Sequence, residues 1–532
     1  EIAQCLVGSE MCIRDRCVIA TSFTGCFGRK KSGEAFSMPI MDEPTSLDPQ
    51  IADSNSEKLV AANCYEGLVR IMADGTIGKG VATDWNISDD GLTYTFKLRN
   101  NSHWAMFSGH KAVLGENYED TFDITVKAED FKFGIERTLS EQTGSADAPL
   151  FSAVKSISTP DDFTIVFNLS YADDNFLYAL TNPGAMPCDE EFFNLTNGKY
   201  GLDAKYLLCN GPFHVSKWTE KTSVKLAKNN EYNGESSVSP SSVTFYINND
   251  DSEVADKMNS VTYDVAFLSS SQFSSIENKK DLNSVAVQNV TYSFIFNQND
   301  NNYRNKNMRL AFCRSCDTSS LFDSQSDISK ADGIVPPSCK IGGEDYRNGN
   351  AAELLSYDET LAKKNFNDAL LDLGSSSVET TILCTEQYEP FVKQMVQKLQ
   401  KTLGVKFVST VKVVSESDLE AAVNDGNYSV AFYPFKAKSS FAGEIIEGFD
   451  QNNIFGYESD VLSQKIRNIK NNSGSLEGER SAVADAENYL VSEAVIMPVF
   501  YENSYFVTSK KTSGIYFYSS ADNVCFINAK KS

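Results

Sequence analysis

Three histidines, His103, His110 and His214, are all the imidazole in this chain of 532 residues. They are too scattered for an H-E-x-x-H zinc site, where two imidazoles one helical turn apart share a face. G-x-x-x-x-G-K-[ST] and G-x-S-x-G are absent too, so neither a phosphate-cradling loop nor a nucleophile elbow is encoded. Cys313 and Cys316 form a C-x-x-C. A zinc or redox role would need a second pair or a β-α-β context there; neither is present, and both read as small apolar side chains. With 72 Asp and Glu, close carboxylate pairs arise by chance, so acid spacing carries no signal for a hydrolase. No catalytic residue, metal ligand or cofactor is expected.

The same acids face only 48 Lys and Arg, a formal net charge of -24. Nucleic-acid partners are disfavoured, because phosphate neutralisation needs clustered cations. Apolar residues at 41% and charged residues at 23% fit a soluble globular protein. The length calls for two or three domains. Eight of the twelve cysteines are spread thinly beyond residue 26, which is no disulfide framework. Cys188 and Cys209 are one conceivable pair, but spacing alone leaves connectivity open.

Four cysteines lie in the first 26 residues. Arg14 and Arg16 precede a short run, Cys17 to Gly25, that reads as the tail of a signal peptide. Phe23-Thr24-Gly25-Cys26 resembles a bacterial lipobox, which implies lipidation of Cys26. Residues 1–16 resemble a translated sequencing adapter and are set aside from fold reasoning. Residues 1–26 are thus a signal remnant, and 27–36 a tether rich in Gly, Ser and Lys.

Strand patterns recur behind the tether. Tyr94, Phe96 and Leu98 share a face; so do Phe163, Ile165, Phe167 and Leu169; so do Val243, Phe245 and Ile247. Asp89-Asp90-Gly91 reads as a turn. Beyond residue 350, helix 361–373 stops at Gly374, a strand covers 378–384, and Pro390 opens a helix closed by Gly404. A strand over 405–414, a helix with a capping box of Ser417 and Glu420, and a strand over 428–433 complete the run. Strand and helix in alternation predict a parallel sheet with right-handed crossovers. Ligands bind beyond the carboxyl ends of such strands, so the segment after Tyr433 is a candidate site. Asn297 to Asn307 reads as a polar surface loop.

Several blocks are recognisable in order: Tyr65-Glu66-Gly67-Leu68, Asp74-Gly75, Trp85, Asp90 to Arg99, and Trp104. Ala128-Glu129-Asp130-Phe131, Tyr200-Gly201, Cys209 to Phe213, Trp218, Tyr292 to Asn297, Met308 to Ala311, and Ala486 to Pro498 follow. Together they resemble family 5 extracellular solute-binding proteins, the oligopeptide- and dipeptide-binding lipoproteins of bacterial ABC importers, across 38–530. Three departures stand out. The stretch between Trp104 and Ala128 is longer than usual, and Lys127 replaces a capping Thr. Where peptide-binding members carry Trp-x-x-Asp, this chain has Phe435-Lys436-Ala437-Lys438, with no acid from Tyr433 to Gly443. The family's Asp faces a peptide's ammonium; a lysine would repel that group and suits an anion.

The resemblance implies an α/β, two-lobed periplasmic-binding-protein-like fold (class II, three-domain peptide-binding type) with mixed sheets and a hinge. Domain I would comprise 36–63, 207–292 and 489–532, domain II the insertion 64–206, and domain III 293–488, with crossings near 288–297 and 485–494. Expected ligand contacts are Glu43, Thr45 and Ser46 on one lobe and Tyr433, Phe435 and Lys438 on the other. Asn210 and Gly211 are expected to shape a loop rather than bind. The implied protein is a monomer, lipid-anchored on the extracytoplasmic face of the membrane, that hands peptide to ABC permease subunits. Two other classes are weighed: the same fold holding an oligosaccharide or anionic small molecule, and a secreted hydrolase with two carboxylates.

Overall fold

The computed structural model describes residues 34–72, 76–234, 236–318, 322, 327–436, 441–450, 453–473, 475–518 and 520–532. Cys26, Asp74-Gly75 and Lys438 lie outside them.

Alternation becomes sheet where it was expected. Strand Thr93–Leu98 buries Tyr94, Phe96 and Leu98 and pairs antiparallel with Ala82–Ile87 and Thr164–Leu169; Val154–Asp161 completes this four-stranded sheet. Gly91 N donates to Ser88 O at 2.8 Å, closing the turn before it. A second sheet pairs Ala35–Ile40 parallel to Ser242–Ile247, followed by Ser223–Lys228 and Phe213–Thr219. The third is mixed and seven-stranded. Its parallel part is the expected alternation: Val378–Cys384 lies between Phe407–Val413 and Val430–Lys436, parallel to both. Helices Glu389–Leu403 and Glu416–Asn424 make the crossovers.

Local details differ from expectation. The second crossover helix is capped by Ser415, whose Oγ accepts from Asp418 N at 3.1 Å, and Ser417 sits inside the first turn. The strand expected to end at Tyr433 runs on to Lys436, because Phe435 and Lys436 still find partners in Thr291 and Val290. The Asn-rich stretch is not a surface loop. Asn297 is 4% exposed and donates to the carbonyls of Gly426 and Tyr428, both at 2.8 Å. Asn305 caps helix Lys306–Arg314. Cys313 and Cys316 are buried apolar side chains, and among the described residues no cluster of three metal-ligating groups exists. Cys188 and Cys209 stay unpaired: Cys209 faces Cys64, and Cys188 lies against Arg137.

The apolar clusters divide the molecule in two. One pair of clusters draws on residues from Phe36 to Val287 and again from Phe506 to Ala529. The other pair draws only on residues between Phe294 and Phe500. Two long strands of the mixed sheet, Leu282–Phe296 and Ile496–Ser509, cross from one lobe to the other side by side. Their register jumps between the pairs Val287–Ser504 and Val290–Glu502, so Gln288 and Asn289 oppose the single residue Asn503. Such a bulge interrupts the ladder and bends it. The second crossing expected at 485–494 is instead the end of helix Leu476–Ser492, whose Ala486, Leu490 and Val491 pack inside the second lobe.

Candidate ligand cleft between the lobes

Among the described residues, hydrogen bonds join the lobes at two separate places. At the strand crossing, Gln288 Nε2 donates to Asn503 Oδ1 and Ser329 Oγ, both at 2.8 Å, and Ser338 N donates to Gln288 O at 3.0 Å. In the other contact, segment 172–178 of the first lobe, a turn leading into the short helix Phe176–Ala179, meets the start of helix Leu476–Ser492. Asp174 N donates to Ser473 O at 2.6 Å, and Ser473 Oγ returns a bond to Ala172 O at 2.6 Å. Asn175 Nδ2 lies 2.9 Å from both carboxylate oxygens of Glu479, while its Oδ1 accepts from Gly342 N at 3.1 Å. Tyr178 Oη donates to Gly342 O at 3.4 Å. A hinge and a separate clasp are what a two-lobed clamp needs.

The second lobe offers the carboxyl ends of its parallel strands. A depression of ≈ 560 Å³ there is lined by Thr385, Glu386, Gln387, Val413, Val414, Ser415, Glu416 and Asp418. Tyr388 Oη donates to Glu502 on the second crossing strand, and Gln387 Nε2 donates to Tyr388 Oη at 3.1 Å. Burial raises the Glu502 carboxyl above its usual range. The Tyr388 ring lies 4.4 Å from that of Tyr292. Polar groups lining a depression at strand ends suit a ligand held by hydrogen bonds.

The expected ligand contacts are placed as follows. On the first lobe, Glu43 accepts from Trp218 Nε1 at 3.1 Å and Lys221 N at 2.6 Å. Thr45 and Ser46 lie beyond the edge strand Ala35–Ile40 rather than in it. Glu57 Oε1 takes Thr45 N and Oγ1, each at 2.8 Å, and Ser46 N at 3.3 Å. Ser46 is buried, and its Oγ accepts from Asp48 N at 3.1 Å. These side chains are engaged in fixing the loop. Arg137 holds its far end through Asp48 Oδ2 at 2.5 Å and Gln50 Oε1 at 2.6 Å.

On the second lobe, Tyr433 and Phe435 share one sheet face, their rings edge to face at 5.6 Å. Tyr433 is half-buried, and burial raises its hydroxyl pKa, with Glu420 adding to the shift. Phe435 stacks on Phe449 and lies tilted against Phe455, each 5.8 Å away, and so anchors the segment after the strand as much as it faces outward. Among the described residues no hydrogen bond or ring contact joins the 43–46 loop to Tyr433 or Phe435. Asn210 and Gly211 shape their loop as expected. Asn210 exchanges two hydrogen bonds with the Glu66 backbone, at 3.0 and 2.8 Å, and Gly211 N donates to Cys64 O at 2.9 Å.

Sequence reasoning missed the clasp and the bulge. The polar run Asp173-Asp174-Asn175 before a short helix is a turn signal and nothing more. Its partner Glu479 is 304 positions away.

The sequence profile of the bacterial extracellular solute-binding proteins, family 5 (middle), matches residues 76–455. The chain belongs to this family. Its members are solute-binding proteins rather than enzymes, and they act outside the cytoplasm. This family 5 protein is 24% identical over 497 residues to the dipeptide-binding protein DppE of Bacillus subtilis (strain 168), covering 89% of this chain and 88% of that one. A crystal structure of a dipeptide-binding protein from Pseudoalteromonas sp. SM9913 in complex with Met-Leu matches 94% of this chain and 100% of its own, with a TM-score of 0.75 at 17% identity. Listeria monocytogenes OppA bound to peptide matches the same shares, with a TM-score of 0.73 at 21% identity. The fold is the two-lobed periplasmic-binding type. Among the described residues no helix is long and apolar enough to cross a membrane.

Proposed function

We propose that this protein captures peptides between its lobes and delivers them unaltered to the permease of an ABC importer. The observation that carries the reading is the division into separate cores linked by two paired strands and, elsewhere, by a clasp. Family membership and the peptide-binding relatives support it. A ligand touching both lobes favours the closed form by its differential affinity for that form. Main-chain hydrogen bonds supply much of the hold, and wet side-chain pockets tolerate variety.

In this reading the 43–46 loop presents Glu43 and the carbonyls of Thr45 and Ser46, whose N–H groups and side chains are occupied. Tyr433 and Phe435 face the ligand from the other lobe. The domain division expected from the sequence is kept, with its last boundary moved from 489 to about 501 because residues 490–500 pack in the second lobe. The protein acts as a monomer, anchored by lipid on Cys26 to the outer face of the cell membrane, where two acyl chains give lasting attachment.

Melting in the presence of separate peptide, sugar and polyamine pools tests this. Peptide at a hundredfold over Kd adds about 2.7 kcal/mol of stability, and mass spectrometry recovers it uncut. Stabilisation by sugars alone, or cleavage of the peptide, would show the reading to be wrong. One observation favours an anionic solute instead: no acid lies between Tyr433 and Gly443 to face an ammonium. Stabilisation by small carboxylates and not by peptides would establish that alternative.

A further inference from the structure

We propose that closing the lobes takes up a proton where segment 172–178 meets helix Leu476–Ser492, so that the closed, loaded form is favoured as the medium acidifies. This rests on the reading of the lobes as a peptide clamp.

The charged groups described at this contact are almost all acids. Asp173 and Asp174 come from the first lobe. From the second, Glu479 stands in the first turns of its helix, and helix Ala442–Glu447 brings Glu447 and Glu444, with Asp450 just beyond. Among the described residues the cation acting here is Lys470, at the end of helix Asp460–Asn471, and it acts on Glu447. Arg480 adjoins Glu479 in sequence but turns away, donating to the carbonyls of Asp345 and Tyr346 at 3.1 and 3.0 Å and lying 3.6 Å from Glu344. Lys340 is taken by Asp345 at 3.1 Å. Tyr178 lies over the Gly342–Gly343 turn, where a Cβ on Gly343 would come within 1.9 Å of its hydroxyl.

Glu479 is 1% exposed, yet the amide that reaches both its oxygens, Asn175 Nδ2, belongs to the other lobe. Burial, first, pushes its carboxyl up to about 8; the Asn175 bond opposes this, and the charges of Asp173, Asp174 and Glu447 add to it. Burial likewise lifts Asp173 to about 6, the Asn175 N–H opposing and Asp174 adding. Asp174 is raised by burial and lowered by Leu476 N–H across the contact. Opening the lobes removes Asn175, Asp173 and Asp174 from Glu479 and returns it to water. Its pKa then relaxes toward the ordinary value of 4.5.

The sign follows from linkage. The closed form holds the higher pKa, so its advantage is complete below about 4.5 and is lost as pH rises through about 8. Ligand affinity therefore falls with rising pH across this window and levels off above it.

The test is calorimetric titration of the full protein with a pool of synthetic di- to octapeptides at pH 6 and pH 8. Wild-type Kd should rise roughly tenfold or more between them. Buffers of different ionisation enthalpy should show net proton uptake on binding near pH 7. Glu479→Gln keeps the size and an acceptor for Asn175 while staying neutral. It should bind at pH 8 nearly as tightly as at pH 6, and the small slope left in this variant belongs to Asp173 and to the ligand. Radius of gyration without ligand supplies a readout independent of the cargo: wild type should be more compact at pH 6 than at pH 8, the variant equal at both. A wild-type slope matching that of Glu479→Gln, or no proton uptake, overturns the proposal. Failure of every peptide to bind at either pH, with the compaction still pH-dependent, overturns the peptide reading and leaves the clasp standing.

Discussion

Replacing Arg137 by Met should loosen the first lobe through a single buried carboxylate. Arg137 reaches Asp48 through both terminal nitrogens, at 2.5 and 3.2 Å, and Gln50 Oε1 at 2.6 Å. The two side chains are only 12% and 4% exposed, and the guanidinium carbon lies 4.1 Å over the Phe193 ring. Removing the arginine strands Asp48 with the Gln50 N–H at 3.1 Å as its remaining contact. Leaving one partner of such a pair buried costs about 3–5 kcal/mol. Asp48→Asn combined with Arg137→Met removes both charges and should recover much of that loss, so the double-mutant cycle should report coupling of about 2–3 kcal/mol. The three tryptophans, Trp85, Trp104 and Trp218, all lie in the first lobe, so their emission in urea follows this lobe. Peptide affinity should fall with stability, because the pair anchors the loop that carries Glu43. A loss below about 1 kcal/mol for Arg137→Met, or additive single and double mutants, would refute the reasoning.

Gly211→Ala should destabilise by about 3 kcal/mol, since the new methyl would sit 2.6 Å from the Cys64 carbonyl carbon and the Tyr65 nitrogen; a shift in the urea midpoint measures it. Burial alone would raise Glu57, but hydrogen bonds from Asp53, Thr45 and Ser54 hold it below its ordinary 4.5. Its contribution is thus present above about 4.5 and fades as pH falls through the lower folded value, so the stability gap between wild type and Glu57→Gln should shrink from pH 7 to pH 3. Cys64, Cys188, Cys209, Cys313, Cys316, Cys339 and Cys384 are buried thiols. They should resist a disulfide reagent at pH 8 until denaturant is added, since burial pushes Cys313 up to about 12 and Cys384 to about 11.

Much of the fold was legible because its signals are local. Alternation in 93–98 and 164–169, and the strand Val378–Cys384 followed by a Pro-opened, Gly-closed helix, need only neighbouring residues to be read. Ser415 and Ser417 fit a cap almost equally well in sequence, and only the backbone distinguishes them. The strand end at Lys436 depended on Val290, far away in the chain. The second crossing, placed at 485–494 by the family resemblance, falls instead on the strand Ile496–Ser509, a boundary that emerges only from the cores on either side. In the site, the loop around Thr45 was visible, but its occupation by Glu57 was not, because a capping glutamate looks like any other acid. The Asn175–Glu479 tie joins positions no local pattern connects.

The claim that the lobes close on a peptide is tested most directly by small-angle scattering during titration with the di- to octapeptide pool. A fall in radius of gyration that saturates as one peptide equivalent binds is the predicted result. A dimension unchanged at saturating peptide, in protein that remains folded, would contradict it.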